Sequence, residues 1–220
     1  MIKQNLENIF RKLPSGVTLV AVSKFHPVSA IQEAYQAGQR VFAESRPQEL
    51  AAKVPQLPAD IQWHFIGHLQ TNKLKLVLPY VTLVQSVDSL HLLEAISRWA
   101  TENGKVVDVL LELHLGAEQT KQGFSEEEIL DIVCEKLRFP LTCDCVRIRG
   151  LMGMATNTED MGVVEKDFER IEALYRKMKA MGLKDFDQLS IGMSGDWPLA
   201  LRHGATMVRI GTDIFGPREY

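Results

Sequence analysis

The stretch Val17-Thr18-Leu19-Val20-Ala21-Val22-Ser23-Lys24 decides the predicted fold. Apolar and β-branched residues over so short a span are typical of a strand buried on both faces, as in a parallel sheet. Side-chain alternation places Lys24 on the same side as Val20 and Val22. If that side faces the interior of a barrel, we expect Lys24 to project into a protected site at the carboxyl end of the strand.

Two interpretations of this lysine remain open at this stage. Partial burial would favour the neutral amine, which can attack a carbonyl carbon and form a Schiff base. The alternative is a lysine at a strand end whose side chain simply extends to water. The sequence of this strand does not distinguish a Schiff-base lysine from a solvent-exposed one. The choice depends on the residues that the rest of the chain brings to the same end of the barrel.

Short apolar runs alternate with helical patterns along the whole chain. The predicted strands are residues 17–24, 41–43, 61–67, 81–84, 106–115, 146–152, 188–191 and 206–210, and a helix over 2–13 precedes them. Eight strand-then-helix units predict an α/β fold, a single (β/α)8 TIM barrel with an extra N-terminal helix. We expect one domain over residues 1–220. An open doubly wound sheet is the alternative, disfavoured because no Gly-x-Gly-x-x-Gly follows the first strand.

Composition excludes several classes of protein. The net charge is -3 over 220 residues without a basic stretch, so we expect no nucleic-acid partner. No apolar run approaches the ~20 residues of a membrane span, so we expect no membrane partner. The start, Met1-Ile2-Lys3-Gln4-Asn5, lacks an apolar signal core, which predicts a cytoplasmic protein. Cys143 and Cys145 form a Cys-x-Cys pair that is a weak metal signal, so we expect reduced thiols and no metal.

Two glycine-bearing loops follow the last two predicted strands. They read Ile191-Gly192-Met193-Ser194-Gly195-Asp196 and Arg209-Ile210-Gly211-Thr212. TIM barrels commonly bind phosphate with the loops after strands seven and eight. Glycines let the backbone approach an anion, and Ser194 and Thr212 add hydroxyl groups. The two loops therefore predict a phosphate site, with ordinary turns as the alternative.

Three further side chains are candidates at the same end of the barrel. Arg209 has the opposite parity to Val208 and Ile210, which predicts that it faces inward. A buried arginine that stays protonated could donate a hydrogen bond to a heteroaromatic nitrogen. The alternative is an ion pair with a strand-end carboxylate such as Glu44 or Glu112.

His64 and Met154 are the other two candidates. His64 lies in the third predicted strand, where it could stack beside a ring or be an ordinary core residue. Met154 follows the sixth strand, so it belongs to the same end of the barrel.

These features together resemble the pyridoxal 5′-phosphate homeostasis protein family, whose barrel is like that of alanine racemase. The matching blocks are Ala21-Val22-Ser23-Lys24, His64-Phe65-Ile66-Gly67-His68-Leu69-Gln70-Thr71-Asn72-Lys73, Gly150-Leu151-Met152, Leu189-Ser190-Ile191-Gly192-Met193-Ser194 and Val208-Arg209-Ile210-Gly211-Thr212-Asp213-Ile214-Phe215-Gly216. The resemblance implies pyridoxal 5′-phosphate (PLP) held as an internal aldimine on Lys24, with Arg209 against the pyridine nitrogen. It places the phosphate at Ser194, Gly211 and Thr212. From their positions at the same end of the barrel, we expect Gly195, His64 and Met154 to be further cofactor contacts.

Members of that family are regarded as carriers or regulators of the PLP (vitamin B6) pool without an established catalytic reaction. The resemblance therefore implies a monomeric PLP homeostasis protein, with amino acids and PLP-dependent apoenzymes as further partners. Two departures lie near the expected pocket. Ala43-Glu44-Ser45 stands where the family usually has Gly-Glu-Asn, and Glu112-Leu113-His114 replaces a Gln-x-Asn.

A low-activity PLP-dependent amino-acid racemase is the alternative function, and a metal-dependent barrel hydrolase is a third. A racemase needs acid/base groups on both faces of the substrate carbanion. Barrel racemases take the second base, a tyrosine, from an additional domain of a partner, and this chain ends soon after strand eight. Its tyrosines fall in helical or terminal positions (Tyr35, Tyr80, Tyr175 and Tyr220). We therefore expect a carrier in preference to an enzyme.

Overall fold

The computed structural model describes residues 1–116, 122–138, 145–183 and 185–217. Its strands are all parallel and close into a barrel in sequence order, which confirms the predicted fold. They are β1 (Thr18–Val22), β2 (Val41–Glu44), β3 (Gln62–Phe65), β4 (Val81–Val87), β5 (Val107–Leu113), β6 (Val146–Gly153), β7 (Gln188–Ser190) and β8 (Met207–Ile210). The helices are α1 (Ile2–Lys12), α2 (Val28–Gln36), α3 (Pro47–Lys53), α4 (Leu74–Val77), α5 (Leu90–Glu102), α6 (Glu126–Arg138), α7 (Met161–Ala180), α8 (Trp197–Arg202) and α9 (Thr212–Phe215).

Alternation along the strands divides the apolar side chains between two cores. The inner core fills the barrel with Val20, Ala43, Leu83, Leu110, Met152 and Met207. The larger outer core lies between the barrel and the helices. Leu19 and Ala21 belong to the outer core while Val20 belongs to the inner one, so β1 is buried on both faces as its sequence predicts.

The extra N-terminal helix packs beside the last element of the barrel. Ile2, Leu6 and Ile9 form the buried face of α1. The Asn5 side chain donates a hydrogen bond to the carbonyl of Ile214 in α9 at 3.0 Å. Because α9 begins directly after Gly211, α1 helps to hold the loop that follows β8.

Strand β6 contains a bulge that alternation in the sequence does not reveal. Val109 pairs with Ile148, but the next residue, Leu110, pairs with Gly150, so Arg149 is an extra residue. Gly150 has φ +157, and a Cβ there would lie 1.7 Å from the carbonyl oxygen of Gln188. The bulge reverses the alternation of side chains along β6. Ile148 and Leu151 both lie in the outer core, and Met152 lies in the inner core.

Some predicted elements are shorter than expected. β1 ends at Val22, and the helix predicted around residues 69–78 is a 3₁₀ turn at Thr71–Lys73 followed by α4. Cys134 is a free cysteine, whereas Cys145 is disulfide-bonded, so the expectation of reduced thiols is wrong for Cys145. Cys143 lies outside the described residues. Among the described helices, none has both the length and the apolarity needed to cross a membrane.

Candidate functional site

Lys24 lies in a tight turn at the carboxyl end of β1, two residues past the strand. The Ser23 amide donates to the Ala43 carbonyl at 3.0 Å, and the His26 amide donates to the Ser23 carbonyl at 3.1 Å. Between them Phe25 has φ +68, a left-handed conformation that costs a non-glycine residue about 1–3 kcal/mol. The chain turns here instead of continuing the strand, which is why the predicted strand is too long. Such strain is concentrated at functional sites.

The loops after β7 and β8 lie beside this turn. Ala21 of β1 pairs with Ile210 of β8, and a Cβ on Gly211 would lie 3.2 Å from the Val22 carbonyl oxygen. The Arg209 amide donates to the Gly192 carbonyl at 2.9 Å, which ties the loop after β7 to β8. The structure therefore brings the two predicted phosphate loops and the Lys24 turn to neighbouring positions at the carboxyl ends of the strands.

The two loops offer unused donors. The main-chain N–H groups of Ser194, Gly195, Gly211 and Thr212 donate to no acceptor among the described residues. A Cβ on Gly195 would meet no heavy atom within 4 Å, so open space lies beside that loop. Unpaired N–H groups around a concave backbone are what a phosphate dianion requires. The residues present therefore fit the phosphate end of PLP.

Arg209 faces into the barrel, as its parity predicts, and is 4% exposed. Its Nη1 donates to the carbonyl and the Oγ of Ser190, both at 2.7 Å, and its Nη2 donates to the Gly153 carbonyl at 2.9 Å. A guanidinium has five N–H donors, so the Nε–H and one Nη2–H remain for a group in the barrel. Burial lowers the pKa of Arg209 to about 10, which leaves it protonated at neutral pH.

The carboxylate partners expected for Arg209 are not within ion-pair distance in the described part of the chain. Glu44 lies on the outer side of β2, where its Oε1 contacts Lys53 and Ser23. The Glu112 side chain faces inward but makes no hydrogen bond or ion pair to a described residue. Arg209 is therefore held by carbonyl and hydroxyl oxygens instead of a salt bridge.

Two residues that the sequence did not single out, Ser190 and Gln85, extend the contacts of Arg209 across the barrel. Because Arg209 can only donate, the Ser190 hydroxyl accepts from it and donates its own proton to Gln85 Oε1 at 2.6 Å. Gln85 Nε2 then donates to His64 Nδ1 at 2.8 Å. In the sequence, the signal for such residues is a polar side chain at an inward position of an otherwise apolar strand.

His64 ends this chain of hydrogen bonds. Burial lowers the pKa of His64 to about 4, so the ring is neutral, and since Nδ1 accepts from Gln85 the proton resides on Nε2. His64 also lines a cavity of about 240 Å³ at the amino ends of the strands, together with Thr18 and Gln188. His64 is therefore linked to Arg209 through Gln85 and Ser190, and it lies nearer the amino ends of the strands.

Met154 and Glu112 complete the inward-facing candidates. Met154 is partly buried and packs against the inner core. Burial raises the pKa of Glu112 to about 7, the positive charge of Arg209 acts to lower it, and Asp88 acts to raise it. Glu112 is thus a carboxyl close to half-ionised at neutral pH, at the position where the family usually has an amide.

Replacing Glu112 with Gln should change how stability depends on pH. The folded-state pKa of about 7 lies above the unfolded value of 4.5, so the native state keeps a proton that the unfolded chain loses. This contribution is fully present below pH 4.5 and disappears as the pH rises through 7, so the wild type should lose about 3 kcal/mol relative to Glu112→Gln between pH 4 and 8. Urea unfolding of cofactor-free protein at these pH values measures the difference.

The same comparison contains its control. His64 has a folded-state pKa below its unfolded value, so it destabilises the protein as the pH falls from 6.5 to 4, which is the opposite direction. That contribution is common to both proteins and cancels in their difference. Equal pH profiles for the two proteins would show that Glu112 ionises normally.

Comparisons with known proteins agree with this geometry. The family described as "Alanine racemase, N-terminal domain" matches residues 1–219. The pyridoxal phosphate homeostasis protein of Pasteurella multocida (strain Pm70) is 37% identical over 226 residues, covering 100% of this chain and 95% of that protein.

Two solved structures of PipY from Synechococcus elongatus PCC7942 are also similar to this chain. The one without PLP is 36% identical with a TM-score of 0.90, and covers 98% of this chain and 100% of its own. The one with PLP bound is 35% identical with a TM-score of 0.86 and the same coverage. The resemblance drawn from the sequence is confirmed: the chain belongs to the alanine racemase N-terminal-domain family and, within it, to the pyridoxal phosphate homeostasis proteins.

Proposed function

We propose that this protein binds PLP through Lys24 at the carboxyl end of the barrel and acts as a cytoplasmic carrier or regulator of the cofactor pool. The observation that carries the proposal is the set of four unused N–H donors on the two loops beside the Lys24 turn. PipY, which shares the fold over 98% of this chain, has been solved with PLP bound. When bound, the cofactor supplies an aldehyde that takes up amines and an aromatic ring that withdraws electrons.

Each end of the ligand has a counterpart among the described residues. Ser194, Gly195, Gly211 and Thr212 would bind the phosphate through their N–H groups. Arg209 would donate one of its remaining N–H groups to the ring nitrogen. The Lys24 nitrogen would bond to the aldehyde carbon while the carbonyl oxygen leaves as water with both amine protons, so the attachment is reversible.

The residues around the site favour storage over turnover. Arg209 is a permanent donor, so it would keep the ring nitrogen unprotonated and limit the electron withdrawal that carbanion chemistry needs. The described tyrosines lie away from the loops: Tyr35 is in α2, Tyr175 is buried in α7 and Tyr80 precedes β4. Amino acids would compete with Lys24 for the aldehyde and so release cofactor to PLP-requiring apoenzymes.

Replacing Lys24 with Ala should abolish covalent attachment. We expect purified wild type, or wild type soaked in PLP, to absorb in the visible range, and borohydride to fix the cofactor on the peptide that contains Lys24. Lys24→Ala should be colourless and unlabelled, while Lys75→Ala, at an exposed position of α4, should behave as wild type. Absorbance spectra and peptide mass spectrometry measure both.

Two results would overturn the proposal. One is a wild type that stays colourless after soaking, and the other is a label on a lysine other than Lys24. The racemase alternative has its own measurement, which is exchange of the α-hydrogen of amino acids for solvent deuterium. Exchange above that caused by free PLP, and lost in Lys24→Ala, would favour the racemase over the carrier.

A further inference from the structure

A buried ion cluster lies behind the turn that carries Lys24. Lys53, at the end of α3, is only 7% exposed. Its Nζ donates to Glu44 Oε1 at 2.8 Å and to Glu49 Oε1 at 2.6 Å. The same Nζ donates to the Ser23 carbonyl at 2.9 Å. We call Lys53, Glu44 and Glu49 the α3 cluster.

The α3 cluster holds the residue on each side of Lys24. Before it, Ser23 donates its Oγ proton to Glu44 Oε1 at 2.6 Å and accepts from Lys53 through its carbonyl. After it, the Phe25 amide donates to Glu49 Oε1 at 2.7 Å. The Phe25 ring is covered by the guanidinium of Arg46, 4.4 Å from its centroid.

Stability alone is a poor account of the α3 cluster. Removing an ammonium and carboxylates from water is costly, and well-packed apolar side chains often do as well in such a position. Glu44 keeps its second oxygen, Oε2, buried without a hydrogen bond. The cluster also sustains the left-handed backbone of Phe25, which is unfavourable by itself.

We propose that Lys53, with Glu44 and Glu49, is a positioning residue that fixes the backbone of residues 23–25 and so aims the Lys24 amine at the aldehyde carbon of the cofactor. This inference rests on the proposed function of Lys24. The α3 cluster does not belong to the loops that would bind the phosphate. It should therefore govern covalent attachment and leave recognition of the phosphate and ring unchanged.

Two ligands separate these contributions. PLP carries the aldehyde, whereas pyridoxine 5′-phosphate carries an alcohol in its place and has the same ring and phosphate. For wild-type protein stripped of cofactor, PLP should bind more tightly than pyridoxine 5′-phosphate because only PLP bonds to Lys24. In Lys53→Met we expect the Kd for PLP to rise at least tenfold, with less than a twofold change for pyridoxine 5′-phosphate.

Glu49→Ala serves as a second variant, since Glu49 is the less buried of the two carboxylates and its loss perturbs the core least. It releases the Phe25 amide directly and should reduce the preference for PLP in the same way. Arg176→Met is the matched control, because Arg176 also forms an i,i+4 ion pair, with Glu172 of α7, and its own side chain is 76% exposed. It should leave both Kd values unchanged.

The outcomes distinguish the inference from the proposed function. A preference for PLP that persists in folded Lys53→Met or Glu49→Ala overturns the inference, as does an equal loss of affinity for both ligands, which would indicate a general structural role. A wild type that binds both ligands equally, with no borohydride label on Lys24, overturns the proposed function itself. A collapse of the preference in both variants, with pyridoxine 5′-phosphate binding intact, supports the inference.

Discussion

Arg209→Leu is expected to lower the free energy of unfolding by about 3–5 kcal/mol. The substitution leaves the Ser190 carbonyl and the Gly153 carbonyl without the donors that they have inside the barrel. Buried acceptors without a partner carry a large desolvation penalty. It also removes the positive charge that favours the ionised form of Glu112, so that carboxyl should hold its proton to higher pH. Urea denaturation of cofactor-free protein measures the loss.

An arginine elsewhere in the barrel provides the control. Arg202, at the end of α8, has a side chain that is 71% exposed and pairs with Glu165 at 3.4 Å. Arg202→Leu should change stability by less than about 1 kcal/mol. If Arg209→Leu proved as stable as Arg202→Leu, the hydrogen bonds of Arg209 inside the barrel would contribute little to the folded state.

Gly150→Ala is expected to destabilise the protein by about 4 kcal/mol, a large fraction of the about 5–15 kcal/mol typical of a folded domain. Two effects add. The added Cβ would lie 1.7 Å from the Gln188 carbonyl oxygen, a backbone atom that cannot rotate away. The φ of +157 is also one that alanine rarely adopts. Thermal unfolding followed by circular dichroism measures the effect.

Gly195→Ala is the same chemical change at a site without either constraint. A Cβ there meets nothing within 4 Å, so stability in the absence of cofactor should change by less than about 0.5 kcal/mol. Near-wild-type stability of Gly150→Ala would contradict the bulge at Arg149, because only the bulged register brings Gly150 against Gln188.

The sequence is sufficient to predict the barrel and to predict which side chains face inward in the strands without a bulge. Alternation alone indicates which side a residue takes while the register is unbroken, as in β1 and β8. It therefore predicts that Arg209 faces inward, and the structure also places Val20 in the inner core. It could not predict the inward orientation of Met152, because the extra residue at Arg149 reverses the alternation before that point.

The residues that hold the Lys24 turn and Arg209 in place are harder to predict, because they depend on contacts between elements that are distant in the sequence. Glu49 and Lys53 have the i,i+4 spacing that is usual on exposed helix faces. The packing of α3 against β2 and the turn after β1 buries Lys53. Glu44 does not pair with Arg209, because it lies with Phe42 on the outer side of β2. Ser190 and Gln85 are joined by a bond between residues 105 positions apart.

The chain of hydrogen bonds from Arg209 to His64 has a fixed polarity. Every donor along it points from the carboxyl end of the barrel toward the amino end, because the guanidinium at its head has no lone pair to accept with. Protons do not pass along this chain, because the Gln85 carboxamide neither gains nor loses a proton at neutral pH and the guanidinium cannot accept one. A base in contact with Arg209 would therefore exchange no proton with His64 along these hydrogen bonds.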